Sequence, residues 1–246
     1  MKRAGDMKTI GLIGGMSWES TVPYYRLMNE AVKARLGGLH SAKLVLYSVD
    51  FDEIMHHQHA GNWVEAGRVM AHAARAVEAA GADFLVICTN TMHKLVPEVE
   101  AAVSIPVLHV VDVLAARIQQ DDARKVGLLA TRFTMEQEFY RRRLEAHGIE
   151  VVVPDAADRE TVHRVIYEEL CQGLVRDASR DAFRAVIKRV IDAGADSVAL
   201  ACTEIAMLIG PHDCPVPLFD TTELHARAAV DFALSELATP GGRPPC

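Results

Sequence analysis

Apolar and polar positions along the chain alternate between two patterns. Short apolar runs stand at 8–14 (KTIGLIG), 42–49 (AKLVLYSV), 83–88 (DFLVIC), 106–110 (PVLHV), 124–130 (RKVGLLA), 149–153 (IEVVV), 196–202 (DSVALAC) and 215–219 (PVPLF). Continuous apolar character over so few residues predicts strands buried on both faces. Between them, near 20–36, 62–80, 93–101, 111–121, 134–147, 159–172, 178–193 and 222–238, apolar residues recur at helical spacing. Strand alternating with helix predicts parallel sheets covered by helices, the α/β class.

The chain also repeats itself. AGADFLVIC (80–88) returns as AGADSVALAC (193–202), IGLIGGMS (10–17) resembles VGLLATRF (126–133), and IPVLHVVD (105–112) resembles CPVPLFDT (214–221). The order is kept, which predicts two similar α/β lobes. We assign residues 1–112 plus 221–238 to the first, 113–220 to the second, and 239–246, rich in Pro and Gly, to a disordered tail. With Gly81 laid on Gly194, Cys88 falls on Ala201 and Thr89 falls on Cys202.

At 246 residues, half of them hydrophobic, the chain holds enough apolar material for one large domain or two small ones. The net charge is −7 and no long basic run exists, so nucleic acid is excluded as a partner. No apolar run reaches membrane-spanning length. The basic start, MKRAGDMKTIGLIGG, runs into a glycine turn and reads as a strand, with Met7 as an alternative start, not as a signal peptide. The expected compartment is the cytoplasm. Five cysteines without C-x-x-C spacing argue against a disulfide framework or a zinc site.

Ligands of parallel sheets bind beyond the carboxyl ends of strands, so the chemistry is sought in the loops that follow them. Cys202 stands at such an end and has two readings: a small buried hydrophobe, or a reactive thiol whose pKa is lowered by a helix N-terminus that Thr203 would cap. Thr89, Asn90 and Thr91 form a polar loop that can cap a helix, bind a ligand, or both. Cys88 and Thr89 must face opposite ways in a strand, and the repeat selects Thr89, leaving Cys88 for the core. The glycine turn GLIGGMS lacks the G-x-G-x-x-G pattern; it is a tight strand-to-helix turn or a close approach to a small ligand. His56, His57 and His59 read as surface loop and not as a metal site, and His93 and Lys94 offer local positive potential. If the two halves face each other, Thr89 and Cys202 flank one small molecule, as removal of a proton from one side of a carbon and its return on the other requires.

GLIGGMSWEST (11–21), CTNTMHK (88–94) and ACTEI (201–205) together resemble the aspartate/glutamate racemase family, over roughly residues 8–236. The resemblance implies two lobes, each a parallel, Rossmann-like sheet flanked by helices, with the active site in the interlobe cleft. It also implies no pyridoxal phosphate or other cofactor, no metal, a small amino-acid substrate, and a homodimer. The family's first motif reads Cys-Asn-Thr-x-His, and here Thr89 takes the place of its cysteine. That is similar to the L-selective branch with a Thr/Cys catalytic pair. Cys202 is then the base, Thr89 serves the opposite face, and Asn90, Thr91, Thr203, Thr131 and Thr134 bind the α-carboxylate. Met16, Ser17 and Gln58 are further substrate contacts. Cys171 occupies a position where some family members carry a lysine for the distal carboxylate. Alternatives are a hydantoin racemase, a maleate isomerase or an arylmalonate decarboxylase of the same superfamily, or an amino-acid binding protein without turnover.

Overall fold

The computed structural model describes residues 7–235; the expected tail at 239–246 lies outside the described residues. The chain divides into two compact units. The first comprises the residues up to Cys88, Leu95–Leu108, and those from His225 onward; the second comprises Thr89–Lys94 and His109–Leu224. The boundaries therefore fall at 108/109 and 224/225 in place of 112/113 and 220/221. Thr89–Lys94, expected in the first lobe, groups with the second, where its side chains also bond, as described below.

In the first unit β1 (Ile10–Gly14) leads through α1 (Trp18–Leu36) to β2 (Leu44–Ser48). Two helices, α2 (Phe51–His59) and α3 (Trp63–Ala79), then lead to β3 (Phe84–Ile87), and α4 (Val96–Glu100) follows. The sheet is parallel with order β2-β1-β3. Every residue of β1 and β3 is buried, as continuous apolar strands between two helical layers should be. Tyr24, Met28 and Val32 of α1 share a core with Ile10, Leu12, Phe84, Val86, Cys88 and the alanines 226, 229 and 233. On another strip of α1, Trp18, Val22 and Tyr25 are exposed.

The second unit holds α5 (Val110–Gln120), β4 (Lys125–Ala130), α6 (Arg132–Glu136), α7 (Glu138–Ala146), β5 (Glu150–Val152), α8 (Ala156–Glu168), α9 (Asp177–Asp192), β6 (Ser197–Ala201) and β7 (Leu218–Asp220). The final helix, α10 (Thr221–Leu234), begins in it. Its sheet is also parallel, with order β5-β4-β6-β7. The core gathers Val126, Leu128 and Leu129 of β4, Val198 and Leu200 of β6, and Phe183, Val186 and Val190 of α9.

The sequence repeat is a repeat of devices. Gly81 and Gly194 take φ of +93° and +98°, which closes the turn after α3 and after α9. The aspartate two residues on then locks the strand ends: Asp83 accepts from the Thr9 N–H at 2.6 Å, and Asp196 accepts from the N–H groups of Arg124 and Lys125 at 2.9 and 3.1 Å. A β-carbon on Gly11 would lie 2.3 Å from Val77 Cγ1, and one on Gly127 would lie 2.8 Å from Val190 Cγ2, so each glycine lets a helix press on its central strand.

Three expected elements differ. The run 106–110 contributes a single parallel bridge, Leu85 to Val107, because the His109 side chain accepts the Val111 N–H and α5 already starts at Val110. The 49–59 stretch is helix, not loop: Asp50 caps it and Ile54 and Gln58, one turn apart, are buried. The helix expected over 134–147 breaks at Gln137, whose backbone is extended, into α6 and α7.

Candidate active site

Cys202 follows the last residue of β6 and is 8% exposed. Its Sγ donates to Glu204 Oε2 at 3.0 Å, and the Thr203 hydroxyl donates to the same oxygen at 2.7 Å. The other oxygen of Glu204 accepts from Cys171 Sγ at 3.7 Å. Glu204 is itself buried, at 4% exposure. Burial pushes the Cys202 thiol well above its ordinary range, and the charge of Glu204 adds to that. This corrects the expectation of a thiol acidified by a helix N-terminus. The segment that follows is a three-residue turn, Ile205–Met207, and Thr203 spends its hydroxyl on Glu204 instead of capping it. Burial also raises the Tyr167 phenol, and the neighbouring Cys202, Cys171 and Glu204 act in the same direction.

The Thr89–Lys94 loop is held by side chains of its own unit. Asn90 Oδ1 accepts from the Tyr140 hydroxyl at 2.9 Å and its Nδ2 donates to Thr221 Oγ1 at 3.0 Å; that hydroxyl donates in turn to the Leu200 carbonyl at 2.8 Å. Leu200 lies in β6, two residues before Cys202, so this chain of bonds ties the loop to the strand that carries the thiol. The hydroxyls of Thr91, Thr131 and Thr134 converge, with Thr91 at 3.0 Å from Thr131 and 3.1 Å from Thr134, and all three residues are buried. The third edge of that triangle is 3.4 Å, so a carboxylate oxygen can take a donor from it at small loss. His93 does not supply the expected positive charge. Its Nδ1–H donates to the Thr89 carbonyl at 2.7 Å while its Nε2 accepts the Val110 N–H at 3.2 Å, a pairing that fixes a neutral tautomer. Lys94 Nζ reaches Gln137 Oε1 at 2.6 Å.

A profile of the family described as Asp/Glu/Hydantoin racemase matches residues 13–229. The chain belongs to the Asp/Glu/hydantoin racemase family. It is therefore an enzyme, an isomerase of the racemase class. A candidate Asp/Glu racemase from Yersinia pestis is 55% identical and superposes with a TM-score of 0.87 over 93% of this chain and 100% of that one. An aspartate racemase homologue from Pyrococcus horikoshii OT3 is 34% identical, with a TM-score of 0.80 over 92% and 99%. The broad specificity amino-acid racemase RacX of Bacillus subtilis (strain 168) is 24% identical over 92% of this chain and 98% of its own.

Within this racemase, the residues expected at the site divide between the units. Thr89, Asn90, Thr91, Thr131, Thr134, Cys202 and Thr203 all belong to the second. Met16, Ser17 and Gln58 belong to the first, and all three are buried. The glycine turn there is built tightly: Gly15 has φ +91° and donates its N–H to Thr21 Oγ1 at 2.8 Å, and the Thr21 hydroxyl donates to the Ser17 carbonyl at 3.0 Å. Cys88 is fully buried in the first unit's core, and burial raises its thiol, whereas Thr89 is half-buried. Among the described residues no group of three or more His, Cys, Asp or Glu side chains is placed to hold a metal ion, the histidines of α2 included. No helix among them is long and apolar enough to cross a membrane. The sequence reading gave Glu204 no role. Its signal was the acid two positions after the thiol, close enough for a local bond.

Proposed function

We propose that the chain is a cofactor-independent racemase of L-aspartate, L-glutamate or both, working as a cytoplasmic enzyme. Cys202 is the base that takes the α-proton of the L-enantiomer as thiolate, and Thr89, or a water it orients, returns a proton to the other face. Asn90 and the Thr91–Thr131–Thr134 hydroxyls supply neutral donors for the α-carboxylate, whose charge grows as the proton leaves, and Thr203, its hydroxyl given to Glu204, contributes through its main-chain N–H. The observation that carries this reading is the Tyr140–Asn90–Thr221–Leu200 bond chain, which anchors the loop behind Thr89 to the strand that leads into Cys202. Similarity to a broad specificity amino-acid racemase and to an aspartate racemase homologue supports amino acids as the substrate class.

The test is α-proton exchange in heavy water, followed by NMR from each enantiomer of aspartate and glutamate. Exchange is expected from the L forms, with a smaller kcat from the D forms, because a hydroxyl is a far weaker acid than a thiol. Racemisation still ends at equal amounts, so the asymmetry is kinetic. Cys202→Ser should lower exchange by about a thousandfold or more. Exchange from the D forms as fast as from the L forms sinks the one-thiol scheme, and binding of L-aspartate without any exchange marks a sensor in place of an enzyme for these substrates.

A further inference from the structure

Cys202 and Glu204 pose a difficulty that the racemase scheme leaves open. A base for carbon acids must be a thiolate, yet Cys202 is only 8% exposed and its sulfur faces a buried carboxylate. Slow loss of the thiol proton to water can suffice for alkylation, but turnover needs an acceptor beside the sulfur. Glu204 Oε2 stands as an acceptor 3.0 Å from the sulfur. The carboxylate is held by two further donors, the Thr203 hydroxyl on that oxygen and the Cys171 thiol on the other, so its orientation does not depend on the proton it would receive. The far oxygen of Glu204 faces Cys171, which is partly exposed.

We propose that Glu204 is the positioning residue that takes the Cys202 proton, leaving the thiolate that abstracts the substrate's α-proton. The step balances: the S–H bond breaks, an O–H bond forms on Glu204, and one negative charge moves from carboxylate to sulfur. After α-proton abstraction the thiol is restored, and the proton on Glu204 leaves for solvent on its Cys171 side. The inference rests on the racemase reading for its last step alone. Titratable and charged groups beside the pair include Cys171 on the 170–172 turn and Tyr167 on α8, with Arg132 on α6 acting on Tyr167 and the His163 ring of α8 lying 4.7 Å from the Tyr167 ring.

Two measurements on the full-length protein decide it. The first is the rate of alkylation of Cys202 by iodoacetamide against pH, read peptide by peptide by mass spectrometry so that Cys171 is scored apart. The second is α-proton exchange from L-aspartate and L-glutamate. Glu204→Gln removes the charge that opposes the thiolate, so the alkylation midpoint should fall by about one pH unit, a tenfold gain in thiolate below it. Exchange by the same variant should nevertheless fall by about a hundredfold, because the acceptor is gone. Glu204→Asp, which keeps a carboxylate and guards against misfolding of the amide variant, should retain exchange within about tenfold of wild type. Exchange that is unchanged or faster in Glu204→Gln overturns the proposal, since Glu204 would then only suppress the thiolate. An alkylation profile that does not move in either variant overturns it too, because the two groups would not be coupled. Wild-type protein without exchange would defeat the racemase reading, while the alkylation profiles would still decide whether Glu204 governs the thiol.

Discussion

The side chains at 88 and 89 are neighbours in sequence with different surroundings. Cys88 has no exposed surface and packs among Phe84, Val86 and Leu12, while Thr89 starts the loop that the second unit holds. Cys88→Ser would put a hydroxyl among apolar groups with no partner, so a loss of about 1–3 kcal/mol in urea unfolding is expected. Exchange per folded molecule should stay within about twofold of wild type, since a core residue acts on stability and not on the chemistry. A larger loss of activity than of stability would move Cys88 into the site. Strand alternation and the internal repeat made this assignment legible in the sequence. The setting of Cys202 was not legible to the same degree. Its raised thiol depends on burial and on Glu204, and Cys171 reaches that carboxylate from 33 residues away through folding alone.

Strands and helices could largely be read because their apolar patterns are long and regular. The exceptions have local causes. A histidine side chain capping α5 cuts short the run at 106–110, and α2 escaped notice because its polar histidines hide a buried face of only Ile54 and Gln58. The repeat is more informative than periodicity, since it names which glycines permit close packing. Gly11→Ala drives a methyl into Val77 of α3, and Gly127→Ala drives one into Val190 of α9. Each should destabilise by about 1–3 kcal/mol in chemical denaturation. Gly11 should be the more sensitive, because its contact would be the shorter. A cost below about 0.5 kcal/mol at both positions would show that the helices can move away without penalty.

At the scale of the whole chain, the division into two α/β units was visible in the order of the repeats, but its boundaries were not. Residues 89–94 group with the second unit, where Asn90 bonds to Tyr140 and Thr221, and nothing in the repeat marks that. Subunit assembly leaves a fainter trace. Trp18, Val22 and Tyr25 follow one another at helical spacing on α1, with 65%, 54% and 57% of their surfaces exposed. So large an apolar strip is costly to keep in water, and we propose that a second copy covers it. Light scattering should give a dimer for the wild type and a monomer for Trp18→Glu/Tyr25→Glu. A monomeric wild type, or a double variant that stays dimeric, would remove this strip from the interface.

The Thr89–Lys94 loop has an evolutionary consequence of its own. Its shape is maintained by the side chains of Asn90, Thr91, His93 and Lys94, and from Thr89 it uses the main-chain carbonyl. The socket is therefore indifferent to what residue 89 carries, and natural variation can exchange a hydroxyl for a sulfur there without rebuilding the walls. Handedness preference would then be among the cheapest traits for such a lineage to revise, one codon away and with little penalty in folding.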